Sequence, residues 1–90
     1  MIQVRKKDET TFEVTVGDGT PTTHTVTVRP EYHEQLTGGR ASAEHLVEKS
    51  FEFLLAREPN TSILASFDLS VIQRYFPEYE DTIGGMLEED

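Results

Sequence analysis

The chain has 90 residues with 8 Lys/Arg against 17 Asp/Glu, a formal net charge of −9 and no cysteine. That length fits one domain, which buries roughly 60–65% of the surface its unfolded chain exposes and so has little room for a deep cleft. Without cysteine there are no disulfides, no thiol nucleophile and no thiolate-bound zinc. The acidity is uneven: residues 1–29 carry four Lys/Arg and four Asp/Glu, residues 30–60 three and six, and residues 61–90 only Arg74 against seven acids. Such a field repels phosphate backbones and anionic membranes and favours a basic protein partner. No apolar run approaches the ~20 residues of a membrane span, and the first residues lack a signal-peptide core, so a cytoplasmic protein is expected.

The first third reads as strands. Ile2 and Val4 alternate with Gln3 and Arg5; Phe12, Val14 and Val16 with Thr11, Glu13 and Thr15; His24, Val26 and Val28 with Thr23, Thr25 and Thr27. Period-two alternation of β-branched residues marks half-buried strands. Turn formers at residues 7–10 and 17–21 make the simplest topology a three-stranded antiparallel meander. Its apolar face requires a helical cover.

The remainder supplies helices. Pro30 opens a short helical turn that Gly38 and Gly39 end. Ser42 is a suitable N-cap, with Glu44 near the positive end of the dipole, for a helix reaching Glu58 before Pro59. Ala43, Leu46, Val47, Phe51, Phe53, Leu54 and Leu55 cover an arc of roughly 200° on that helix. A helix with water behind it needs about half as much. Two covers are therefore expected: the sheet, and either C-terminal helices or another subunit. Residues 62–67 are predicted helical with a cap at Asn60 or Thr61, and residues 69–75 with a cap at Asp68. Pro77 begins a last turn, with Glu78, Glu80 and Asp81 near its N-terminus and Gly84-Gly85 at its end. The expected fold class is α+β: a three-stranded antiparallel β-meander packed on one long helix and two to three short C-terminal helices. One domain is assigned to residues 1–85 and an acidic flexible tail to residues 86–90.

No recognised catalytic or metal-binding pattern is complete. His33-Glu34-Gln35-Leu36-Thr37 departs from H-E-x-x-H at its last position, so the second imidazole of a zinc site is missing. His45 is read as a residue of a solvated helix face and His24 as a core-edge residue with one hydrogen bond. None of the serines lies in a G-x-S-x-G elbow. An unrecognised acid–base site would use Glu31, His33 and Arg40. Neither an enzymatic activity nor a cofactor is expected.

Two resemblances follow. The order of elements over residues 23–58 resembles that of ribbon-helix-helix DNA-binding proteins, including antitoxins. It implies that Thr25, Thr27 and Arg29 face bases and that the helix starting at Ser42 holds a phosphate. Upstream strands and the scarcity of basic residues count against it. The residues from Phe51 to Pro59, Ser62 to Leu64 and Phe67 to Glu80 look like a group of short bacterial proteins without an assigned function. That likeness implies a β-then-α domain and brings no site.

The functional expectation is a non-enzymatic protein-interaction or adaptor module, with a DNA-binding regulator as the alternative. Tyr75, Phe76, Tyr79 and Glu80, aromatic and acidic, form the candidate partner-binding patch, although Tyr75 and Phe76 also suit closure of the core. The partner is a protein, of basic character, with nucleic acid and membrane not expected, and the chain is a monomer or a weak homodimer.

Overall fold

The computed structural model describes residues 1–17 and 19–88. The three predicted strands form as β1 (Ile2–Lys6), β2 (Thr11–Val16) and β3 (Thr22–Thr27). They pair antiparallel in that order, with Val4 opposite Val14 and Val14 opposite His24. Between β1 and β2 the Asp8 carboxylate accepts the N–H groups of Thr10 (3.0 Å) and Thr11 (2.9 Å), which closes the turn. Those two bonds favour the ionised carboxylate, and the Asp8 pKa lies below its ordinary value. Asp18 of the second expected turn lies outside the described residues.

Helix α1 (Pro30–Thr37) starts on Pro30 and stops at Gly38, whose φ of 62° is left-handed. Helix α2 (Ala43–Leu55) is capped as expected, with the Ser42 hydroxyl accepting the His45 N–H. It ends three residues before Glu58, because Pro59 disfavours helical backbone in the residue preceding it. Arg57 folds back over the end of the helix. Its guanidinium lies 3.6 Å from the Phe53 ring centroid, bonds the Phe53 carbonyl at 3.0 Å and meets Glu78 at 3.1 Å.

The expected helix over residues 62–67 is absent. A single 3₁₀ turn, Asn60–Ser62, is followed by a fourth strand, β4 (Ser66–Asp68), which pairs parallel to β3 with Phe67 opposite Val26. Among the described residues the sheet is thus mixed and four-stranded, in the order β1-β2-β3-β4, and the fold is α+β with four helices. Three residues carry too short a pattern to read. The vacant edge of β3 decides their conformation: Thr25 N–H bonds the Ala65 carbonyl at 2.8 Å, and Leu69 N–H the Thr27 carbonyl at 2.9 Å.

Helix α3 (Val71–Tyr75) follows a turn in which Asp68 accepts the Ser70 N–H at 3.0 Å. Helix α4 (Tyr79–Glu88) runs through Gly84 and Gly85, where the sequence pattern places a stop. Ile83 is buried, and Met86 and Leu87 pack partly buried against the core. Their spacing keeps the helix in phase, and burial outweighs a glycine penalty of about 1 kcal/mol each. Residues 86–88 therefore continue a packed helix instead of forming a flexible tail; residues 89 and 90 lie outside the described residues.

The wide apolar arc of α2 is resolved within one molecule. Phe51 faces the sheet, with ring centroids 5.5 Å from His24 and 6.1 Å from Phe67. Phe53 faces the other way, 5.2 Å from the Tyr79 ring of α4 and 5.9 Å from Phe76. A second subunit is not required to cover it. No helix of the described residues is long and apolar enough to cross a membrane.

Candidate binding groove

The expected patch splits. Tyr79 is 0% exposed and belongs to the core, because its ring packs on Phe53 and its hydroxyl donates to Ser50 Oγ at 2.6 Å. Ser50 has already given its own proton to the Leu46 carbonyl (2.7 Å), so Tyr79 must be the donor. Burial raises the Tyr79 phenol pKa well above its ordinary value. Glu80 is half-buried and accepts the Tyr32 hydroxyl at 2.9 Å, which ties α4 to α1. Burial first, and then that bond to a carboxylate, raise the Tyr32 pKa as well. Tyr79 offers no face to a partner.

Tyr75 stands out at 68% exposed, while Phe76 is half-buried against Phe53. Both line a groove of about 380 Å³ between the end of α2, the segment leading into β4, and α3. Its walls include Leu54, Ile63, Phe67 and Ile72, and Leu64 stands at its margin, 48% exposed. Glu58 is the charged residue among those lining it. The sequence pattern missed Leu64, since it places that residue within a helix over residues 62–67. The extended run into β4 instead turns Leu64 outward while its carbonyl accepts His24 Nδ1 at 2.7 Å.

Side-chain hydrogen bonds tie the segment before β4 to the sheet. Asn60 Nδ2 bonds the Thr20 carbonyl (2.8 Å), Thr22 Oγ1 (3.0 Å) and the Val16 carbonyl (3.2 Å), which ties the 3₁₀ turn to the β2–β3 connection. Thr22 Oγ1 meets His24 Nε2 at 2.8 Å. The carbonyl of Leu64 can only accept, so His24 Nδ1 carries a proton toward it. His24 is buried as expected, with two partners where one was anticipated. A Cβ on Gly17, whose φ is 111°, would lie 2.8 Å from Asn60 Nδ2, so only glycine fits there.

Two other candidate residues, His33 and Thr37, hold the end of α1. His33 Nε2 donates to the Ala41 carbonyl at 2.6 Å. Thr37 is buried at the end of α1, donating to the His33 carbonyl (2.8 Å) and accepting the Gly39 N–H (3.1 Å). It is a helix terminator where the zinc pattern would need an imidazole. Glu31 and Arg40 are exposed and line neither this groove nor the shallow hollow beside β1. Among the described residues no three His, Cys, Asp or Glu side chains are grouped to hold a metal ion. Arg29 pairs with Asp68 at 3.2 Å. Burial pushes the Asp68 carboxyl up, but Ser70 and Arg29 outweigh it and its pKa lies below the ordinary value. No family model, curated protein or solved structure matches the chain.

Proposed function

We propose that the chain is a non-enzymatic interaction module whose groove takes a protein segment presenting an apolar side chain flanked by Lys or Arg. The observation that carries this reading is the pairing of Leu64 and Tyr75, two large apolar residues left in water across an apolar cleft. The same fold seals sixteen other large apolar residues. Aromatic side chains at a cleft margin supply much contact area for little lost rotamer freedom. Charge selects the flanks: Glu58 lies in the wall, no Lys or Arg among the described residues lines the groove, and the net charge is −9.

Tyr75 and Phe76 remain in the contact surface from the expected patch, joined by Leu64. The DNA-binding alternative requires a free β3 edge for dimerisation, and that edge is occupied by β4. Its base-facing Arg29 is engaged by Asp68. Both facts weigh against it, as does the acidity.

Selection of short peptides from a random displayed library against the intact chain tests the proposal. Enriched sequences are expected to share an aromatic or aliphatic anchor beside Lys or Arg. They are expected to lose at least about tenfold in affinity to Leu64→Glu and Tyr75→Ala, with the fold retained by circular dichroism. Peptides of acidic character, or peptides whose binding neither substitution changes, would overturn it.

A further inference from the structure

The opposite margin of the sheet carries an independent feature. In the β1–β2 ladder the Gly17 N–H bonds the Met1 carbonyl and the Lys7 N–H the Thr11 carbonyl, while Gln3 faces Thr15 and Arg5 faces Glu13. Antiparallel pairing alternates, so the odd-numbered residues of β1 exchange their backbone bonds with β2. The N–H and C=O groups of Ile2, Val4 and Lys6 therefore point away from the sheet. Among the described residues nothing pairs with them, since β1 is the terminal strand. The edge has no proline and no bulge, and its Ile2 and Val4 side chains are half-buried.

An open edge of this kind recruits other strands unless charge prevents it. Lys6 is the charge here. Its side chain shares the helix-covered face with Ile2 and Val4, is exposed, and has no ion-pair partner among the described residues. A partner strand that brings carboxylates to Lys6 is favoured over one that does not. This chain has them at the right place: a hollow of about 340 Å³ beside Ile2 and Val4 is lined by Glu44 and Glu48 of α2.

We propose that two copies of the chain join through their β1 edges about a two-fold axis at Val4, forming one continuous eight-stranded sheet. With that axis Val4 faces Val4 of the second copy and Ile2 faces Lys6, all three being residues whose backbone groups point outward. The register allows the outward N–H and C=O groups of these residues to bond in reciprocal pairs. It also places each Lys6 ammonium opposite Ile2 of the other copy, beside the Glu44 and Glu48 carboxylates. The edge is complementary to itself, as a two-fold contact requires, and the same Lys6 repels strands lacking an acidic flank. The groove lies at the other end of the sheet, beside β4, so its occupancy and this contact are independent.

Sedimentation equilibrium of the full chain, combined with amide hydrogen exchange, tests the dimer. The apparent mass is expected to rise with concentration from 10.2 kDa toward twice that value. Exchange at the Ile2, Val4 and Lys6 amides is expected to slow in parallel. Lys6→Glu turns two symmetric attractions into repulsions and is expected to weaken association by roughly tenfold. Adding Glu48→Lys to it is expected to restore association to within about threefold. A mass of 10.2 kDa at millimolar concentration would overturn the proposal. So would a dimer whose protected amides lie elsewhere, or one that ignores Lys6→Glu.

Discussion

Ser50 and Tyr79 are joined by a directed relay. The Tyr79 hydroxyl donates to Ser50 Oγ, which donates to the Leu46 carbonyl, and both side chains are fully buried. Direction makes the two ends unequal. Tyr79→Phe removes one neutral hydrogen bond and leaves Ser50 still donating to Leu46, so the loss is about 0.5–1.5 kcal/mol. Ser50→Ala removes the same bond and also strands the Tyr79 hydroxyl in the core, which costs about 1–3 kcal/mol. Alanine returns about 0.5 kcal/mol of that through its better helix propensity within α2. The double variant strands nothing beyond the Leu46 carbonyl, which stays in its helical ladder. It is therefore expected to be no less stable than Ser50→Ala alone, with a coupling of about 1 kcal/mol. Urea unfolding followed by far-ultraviolet circular dichroism measures all four proteins. Additive effects, or a Tyr79→Phe loss larger than that of Ser50→Ala, would refute the assigned direction.

Two further outcomes follow from the same framework. Gly17→Ala is expected to destabilise by about 2 kcal/mol in thermal or urea unfolding, because φ there is 111° and the new Cβ would displace the Asn60 amide. An unchanged midpoint would show that the 3₁₀ turn is not held by this contact. Asp68 has a depressed folded pKa. Its contribution is therefore full above the unfolded carboxylate value of about 3.9 and is lost as pH falls through the lower folded value. Asp68→Asn is expected to lower stability at neutral pH and to flatten the acid limb of a stability–pH curve. An acid limb as steep as that of the parent would refute it.

The legible parts of the fold were those with a repeating local signal. Three strands announced themselves through alternation against one face, and His24 took its core position because it shares the phase of Val26 and Val28. Pro30, Gly38 and Ser42 acted through backbone geometry that needs no distant partner. The errors cluster where a distant partner chose. Residues 62–67 satisfy a helical pattern, but the unpaired edge of β3 offered backbone bonds that a short isolated helix could not match. Gly84 and Gly85 carry a stop signal that the burial of Ile83, Met86 and Leu87 overrode.

The candidate site was legible by neighbourhood and not by residue. Tyr75, Phe76 and Tyr79 lie within five positions, yet one is in water, one is half-covered and one is sealed. Their local sequence contains no sign of which is which. Tyr79 goes inward because Ser50 lies across from it on α2, and Leu64 goes outward because the segment leading into β4 is not helical.

From sequence alone came the acidic charge, the α+β class, the meander, the capped central helix and its need for two covers. Each is a property of composition or of a period of two to four residues, and such periods survive in one dimension. Tertiary structure alone decided which layer supplies the second cover, where the fourth strand pairs, and which aromatic ring is left at the margin of a groove. Those choices depend on contacts between residues tens of positions apart, whose energies are set by the space that the rest of the chain leaves open.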